Sequence, residues 1–200
     1  MKVGSVHGRF QPFHNGHLKY VLAAHNLCEY LWIGITKCDV GLADRGMPIR
    51  FRDRPENNPL TFFERLEIIR ESLVDAGVDR ARFGFLPFPI ETPETLPSFL
   101  PTYIPCYTTI CEKWNEDKIE ILKKLGYSVI VLYREQPKEI SGSAIRADIV
   151  DGGDFWRTLV PPAAARAADR LDLRNRLIEM RRTDGVVPPV TTHGAPPAGA

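Results

Sequence analysis

Short runs of apolar and β-branched residues alternate along the chain with longer stretches in which apolar positions recur every three or four residues. These are the rhythms of buried strands and amphipathic helices. On that pattern Lys2–Gly8 is a first strand, Gly16–Leu27 a helix and Tyr30–Thr36 a second strand. Residues 37–60 form a long polar loop carrying Arg45, Arg50, Arg52 and Arg54. Thr61-Phe62-Phe63-Glu64 has capping-box spacing and opens a helix that runs to about Ala76. Arg82–Pro87 is a third strand, and the proline-rich stretch 88–105 reads as loop or short helix. Ile104–Thr108 is a short fourth strand. Asn115–Leu125 is a helix with Ile119, Leu122 and Leu125 on one face, ended by Gly126. Ser128–Leu132 is a fifth strand, Ser141–Asp151 a helix stopped by Gly152-Gly153, and Ala163–Arg181 a last amphipathic helix. There is no internal repeat.

Strands alternating with helices predict an α/β fold: a Rossmann-like doubly wound parallel sheet of about five strands, with a C-terminal helix. Ligands of such sheets bind beyond the carboxyl ends of the strands, where the strand order reverses. The turns after the first and fifth strands are therefore the places to look for chemistry. Residues 1–182 are expected to form one domain. Residues 183–200, rich in Pro, Gly, Ala and Thr, are expected to be a disordered tail.

Composition narrows this reading in three ways. A chain of 200 residues with 44% hydrophobic residues can enclose a core and still carry a cleft. A net charge of +1 gives no overall attraction for polyanions, so nucleic acid is not an expected partner and any affinity for anions must be local. Cys28, Cys38, Cys106 and Cys111 form no C-x-x-C pair and read as reduced thiols of a cytoplasmic protein. There is no long apolar n/h-region pattern and no apolar run reaches about 18 residues, so neither secretion nor membrane association is expected.

The turn after the first strand reads Gly8-Arg9-Phe10-Gln11-Pro12-Phe13-His14-Asn15-Gly16-His17. His14 and His17 lie three apart at a helix start and share a face, where ring N–H groups can meet one anion. The helix N-terminus adds unpaired backbone N–H groups and partial positive charge. Arg9 offers a forked donor suited to phosphate, and Gly16 allows close approach to the backbone. Such a pocket stabilises charge developing on a phosphorus under attack; positioning and neutralisation suffice, without a covalent enzyme intermediate. An isolated His-x-x-His pair is more often a cap plus a packed ring, and for zinc it offers two ligands without a third. Here the upstream arginine and the strand-to-helix setting favour the anion site.

The turn after the fifth strand reads Ile140-Ser141-Gly142-Ser143-Ala144-Ile145-Arg146. Ser141 and Ser143 can cap the helix and donate to phosphate oxygens, while Arg146 sits one turn in. A Ser-capped helix with a solvated arginine is the ordinary explanation of such a segment. Two anion-ready helix starts, each at a strand end, are harder to explain that way.

The first motif resembles the HxGH signature of the nucleotidyltransferase superfamily, and the second resembles its I-S-x-[ST]-x-x-R partner. Over roughly residues 1–180 the wording, the element order and the later Asp151-Gly152-Gly153-Asp154-Phe155-Trp156 are most similar to archaeal-type nicotinamide mononucleotide adenylyltransferases. The resemblance implies an enzyme that transfers a nucleoside monophosphate from a nucleoside triphosphate to a small anionic acceptor and releases pyrophosphate. It implies His14, His17 and Arg146 as catalytic residues, with Arg9 and Arg146 on the β- and γ-phosphates. Gly8, Phe10, Gln11, Gly16, Ile140, Ser141, Gly142 and Ser143 complete the nucleotide site, Ser143 replacing the usual Thr. It also implies Mg2+ bridging the phosphates, largely through water, with no metal held by the protein itself.

One region departs from that family. Where those adenylyltransferases carry an Asn and a Trp for the nicotinamide ring, this chain reads Ile90-Glu91-Thr92-Pro93-Glu94-Thr95-Leu96-Pro97-Ser98-Phe99, with neither. Arg45, Arg50, Arg52 and Arg54 are either a solvated surface or a clamp for a compact, charged acceptor. Tyr107, Thr108, Thr109, Lys113 and Trp114 are candidates for the pocket rim. The superfamily includes cytidylyltransferases acting on small phosphates, phosphonates and alcohols, so a CTP-dependent enzyme for a small phosphonate or phosphate is favoured over ATP-dependent nicotinamide mononucleotide adenylylation. A kinase or dehydrogenase is disfavoured because G-x-x-x-x-G-K-[ST] and G-x-G-x-x-G are both missing. A non-catalytic nucleotide sensor would be expected to have lost a histidine, yet both are present. The final helix could make a subunit contact or simply cover the sheet.

Overall fold

The computed structural model describes residues 2–38, 54–110, 114–134 and 140–182. Arg45, Arg50, Arg52, Cys111, Lys113 and the tail 183–200 lie outside the described residues. Five strands, β1 (Val3–Gly8), β2 (Tyr30–Ile35), β3 (Phe83–Pro87), β4 (Cys106–Ile110) and β5 (Val129–Arg134), form one sheet in the order β3-β2-β1-β4-β5. Every neighbouring pair is parallel. The order reverses between β1 and β4, which is the switch point of a doubly wound sheet.

Three helices connect the strands: α1 (Asn15–His25), α2 (Phe62–Asp75) and α3 (Trp114–Lys124). Thr61 and Glu64 form the expected capping box at the start of α2. After β5 come α4 (Gly142–Asp151), α5 (Trp156–Leu159), α6 (Pro162–Arg170) and α7 (Leu173–Arg182). One sheet face, with Val6, Leu31, Ile33, Ile35 and Tyr107, is covered by α1, α2 and the C-terminal helices through Val21, Ile69, Ile145, Ala167 and Leu177. The other face is covered by α3 and the proline-rich segment through Leu122, Leu96, Leu100 and Ile104, which pack on Leu86, Phe88 and Cys106.

Three sequence expectations need correction. β4 begins at Cys106 rather than Ile104, because Pro105 has no N–H for the ladder and contributes only its carbonyl, to Ser5 N at 2.9 Å. The single helix expected over 163–181 is two, α6 and α7, broken at Asp172, whose φ is 47°. The apolar stripe through Ala167, Leu171, Leu173 and Leu177 runs across the break and hides it. Aspartate tolerates this left-handed geometry, and here its carboxylate accepts from Asn175 Nδ2 at 2.8 Å. Within the expected polar loop 37–60, Pro55–Asn57 is a 3-10 turn with Asn57 and Asn58 buried.

α7 is fastened back to α2. Arg176 donates to both oxygens of Glu64 at 2.9 and 2.8 Å, and to the Pro59 carbonyl at 3.2 Å. The C-terminal helices therefore brace the segment that leads into α2, and that segment borders the candidate site.

Candidate active site

The turn from β1 to α1 is tightly wound. Phe10 has a φ of 54°, a left-handed conformation costly for a bulky residue, and its ring is 1% exposed. That ring folds back over Gly8, where a Cβ would lie 2.6 Å from it, and meets Phe13 and His17 edge-on. Gln11 is also buried: its amide donates to the Leu60 carbonyl at 2.7 Å and accepts from Leu60 N at 3.0 Å. The side chains of Phe10 and Gln11, expected at the nucleotide, instead build the corner and pin it to the start of α2.

His14 is the N-cap of α1, and the two histidines cap each other's backbone. His14 Nδ1 accepts from His17 N at 3.3 Å, and His17 Nδ1 accepts from His14 N at 3.4 Å. The rings stack with centroids 3.6 Å apart and planes 20° from parallel. The capping geometry also assigns the tautomer: with each Nδ1 accepting, the proton of a neutral ring lies on Nε2. Gly16 makes room for a protein group rather than an open approach, since a Cβ there would lie 3.2 Å from the His14 ring.

The second corner leans directly on the first. Arg146 is 5% exposed, and its guanidinium donates to the Gln11 carbonyl at 2.6 Å and to Asn57 Oδ1 at 2.5 Å. Gly142, at the first turn of α4, comes so close that a Cβ would lie 2.8 Å from the Gln11 carbonyl oxygen. Ser141 occupies the N-cap position but makes no side-chain cap; its hydroxyl lies 2.8 Å from that of Ser143. Ile140 is half-buried against the core and Ser143 is exposed. The structure thus brings Arg146 and Gly142 against Gln11, three residues before His14, and Asn57 joins them from the turn before α2.

Arg65 is the residue that sequence reasoning missed. It is 1% exposed on α2 and donates to four backbone carbonyls: Arg9 at 2.9 Å, Thr36 and Lys37 at 2.7 Å, and Thr61 at 3.2 Å. It ties together the segments leaving β1 and β2. The available signal was a charge on the inward stripe of α2, among Ile68, Ile69, Ser72 and Leu73. Burial, then the Arg9 charge, lowers both Arg65 and Arg146 to a pKa of about 10. Arg9 is therefore near enough to both for its charge to act on each, at the carboxyl end of β1. In a chain of net charge +1 this is the concentrated positive field that the composition required to be local.

The expected acceptor residues divide. Tyr107 is core, 2% exposed and packed over Gly4, rather than pocket rim. Thr108 is 1% exposed inside β4. Arg54 is exposed, with Glu56 at 3.9 Å. Among the described residues no group of three or more His, Cys, Asp or Glu side chains could hold a metal ion, and no helix is long and apolar enough to cross a membrane.

The parallel sheet with this switch point carries paired histidines and a buried arginine at two strand-to-helix corners in contact with each other. The chain belongs to the cytidylyltransferase-like family, which it matches over residues 6–148, and it is a nucleotidyltransferase. It is 36% identical to the phosphonoformate cytidylyltransferase of Streptomyces viridochromogenes, over 87% of this chain and 94% of that one. It is 29% identical to the nicotinamide-nucleotide adenylyltransferase of Picrophilus torridus, over 88% and 96% of the two chains. Among solved structures, the bifunctional NMN adenylyltransferase/ADP ribose pyrophosphatase of Francisella tularensis, complexed with AMP and a Mn ion, superposes with a TM-score of 0.66 at 16% identity. That match covers 91% of this chain but 53% of the Francisella chain, so this chain spans about half the length of that protein, and the likeness is one of fold.

Proposed function

We propose that this enzyme transfers CMP from CTP to a small phosphonate or phosphate. An oxygen of the acceptor attacks the α-phosphorus of CTP, the bond to the β-phosphate bridging oxygen breaks, and pyrophosphate leaves with that oxygen. The observation that carries this reading is the contact between the two corners, Arg146 and Gly142 against the Gln11 carbonyl. In this reading the imidazoles of the first motif and the guanidinium and helix start of the second surround one space.

In this reading the Nε2–H groups of His14 and His17 donate to the oxygens of the reacting phosphate. They are aligned before substrate arrives because their Nδ1 atoms already cap α1. Arg9 and Arg146 take the β- and γ-phosphates, and the start of α4 with Ser141, Gly142 and Ser143 offers backbone N–H groups and hydroxyls. Phe10, Gln11, Asn57 and Arg65 hold these groups in place. The donors at the corners are cations, imidazoles, amides and hydroxyls, which suit phosphate oxygens rather than a cation. A divalent ion, Mg2+ in this proposal, would therefore be carried by the triphosphate and water. In this reading Arg54, Arg45, Arg50 and Arg52 bind the acceptor.

The acceptor class rests on the likeness to the Streptomyces viridochromogenes protein and on the missing nicotinamide-holding pair in 90–99. The Picrophilus torridus relative favours ATP and nicotinamide mononucleotide as the second reading. A pyrophosphate-release screen decides between them by crossing ATP, CTP, GTP and UTP with nicotinamide mononucleotide and a panel of small phosphonates. Turnover with CTP and a phosphonate is expected. Turnover confined to ATP and nicotinamide mononucleotide overturns the proposal in favour of the second reading.

A further inference from the structure

At the switch point β1 and β4 separate. Their register is Ser5 with Cys106 alone, and two residues further on the His7 N–H goes instead to the Tyr20 hydroxyl at 3.2 Å. That hydroxyl in turn donates to the Tyr107 carbonyl at 2.7 Å, so a tyrosine stands where a direct bond between the strands would be. The break in pairing lies at the carboxyl end of β1, next to Gly8 and Arg9.

His7 lies on β1 beside this break. It is 3% exposed, and neither ring nitrogen has a hydrogen-bond partner among the described residues. It shares a sheet face with Ser5, whose hydroxyl lies 3.4 Å from Cys106 Sγ, and so it points toward the layer that holds α3. Lys118 on α3 is 8% exposed, and its charge acts on both His7 and Cys106. Asn115, one turn earlier on the same helix, is also buried. On its β2 side, His7 pairs in register with Gly34, which leaves space for Phe88 to cross and stack on the imidazole at 4.3 Å and 5°.

A packed ring alone explains the stacking but not the choice of residue. Each polar atom buried without a partner costs about 1–3 kcal/mol, and a valine would fill a strand interior without that cost. The expense is understandable if a ligand completes the hydrogen bonds. A neutral imidazole with a buried ammonium near enough for its charge to act on it suits a compact oxyanion better than a neutral or aromatic acceptor.

We propose that His7 and Lys118 floor the acceptor subsite, where they bind the oxygens of a small phosphonate, phosphate or carboxylate. This rests on the cytidylyl-transfer reading above and names its specificity-determining residues. His7 donates from one ring nitrogen to an acceptor oxygen, Lys118 supplies the opposing charge, and Phe88 holds the imidazole in plane.

The test is steady-state kinetics of pyrophosphate release on His7→Val, His7→Gln and Lys118→Met, titrating CTP and, separately, phosphonoformate or phosphonoacetate. H7V and K118M should raise the acceptor KM about tenfold or more, as expected for losing a hydrogen bond to a charged group, with the CTP KM within about twofold of wild type. H7Q, which restores a donor, should recover part of the loss. An H7V enzyme with the wild-type acceptor KM overturns the proposal and leaves His7 a packed ring. If H7V does not fold, unchanged acceptor KM values in both H7Q and K118M overturn it equally. Wild-type enzyme that releases no pyrophosphate with any acceptor removes the cytidylyl-transfer reading itself, a different failure.

Discussion

Gly142→Ala tests the contact between the two corners with a single methyl group. The new Cβ would stand 2.8 Å from the Gln11 carbonyl oxygen, against an ordinary contact of about 3.4 Å or more, and that oxygen is backbone within a corner already fixed by Leu60. About half an ångström of separation is needed, and it falls on the 2.6 Å bond from Arg146 to the same oxygen. Overpacking of this kind costs about 1–3 kcal/mol. Opposing it, alanine is favoured over glycine in a helix by about 1 kcal/mol. In folding stability the two effects largely offset one another, so the melting temperature should change little. The clash reports where the corners must meet, so kcat/KM for CTP should fall about 5- to 150-fold at a tenfold loss per 1.4 kcal/mol. Pyrophosphate release at saturating acceptor, beside a melting curve, measures both. A G142A enzyme with raised stability and wild-type kcat/KM would show that the contact is dispensable and would refute this reasoning.

Other perturbations probe the supports. Arg65→Met strands the carbonyls of Arg9, Thr36, Lys37 and Thr61 and should cost about 3 kcal/mol or more in urea unfolding; a loss below about 1 kcal/mol contradicts the role assigned to it. His7 and His25 both have imidazoles held below the usual 6.5, by burial first and then by Lys118 and Arg82 respectively. The unfolded chain takes up these protons near 6.5 while the folded chain resists, so their contribution is present above that pH and lost as pH falls below it. The slope is at most about 1.4 kcal/mol per pH unit for each histidine. His7→Val should flatten melting temperature against pH between about 6.5 and 5, and an unchanged slope would contradict the assignment. Asn57→Ala removes the Oδ1 that accepts from Arg146 and should lower kcat/KM for CTP about tenfold or more, the loss of a hydrogen bond to a charged group; unaltered kinetics would leave Asn57 a loop residue only.

The sequence of elements along the chain follows from periodicity because the central strands β1, β2 and β4 are largely buried and three of the four connections between strands are α-helical. The capping box at Thr61 and the glycine stop at Gly152 were legible because each has a local cause, a side-chain acceptor for orphan N–H groups or a left-handed residue. The break at Asp172 was not, because the inward stripe continues through it. Proximity of the two motifs was legible through the switch-point rule, yet the contacts that make it were not. Gln11 reaches Leu60 and Arg146 reaches Asn57 across 49 and 89 residues of sequence, separations on which local pattern is silent. Tyr107 was misplaced because an aromatic residue near a strand end suits rim and core equally; the missing side chain of Gly4 seats it in the core.

In the proposed mechanism His14 and His17 have two duties, capping α1 through Nδ1 and donating to phosphate through Nε2. Asparagine separates them: its Oδ1 can replace the capping acceptor, while its short amide does not extend to the Nε2 position. Pyrophosphate release by His17→Asn, compared with wild type at matched folding, is the most direct test. Turnover should fall about 100- to 1000-fold, the scale for losing one preorganised donor to a developing charge, with the melting temperature near that of wild type. Turnover within a few-fold of wild type would show that the histidine pair serves the helix alone and would contradict the central claim.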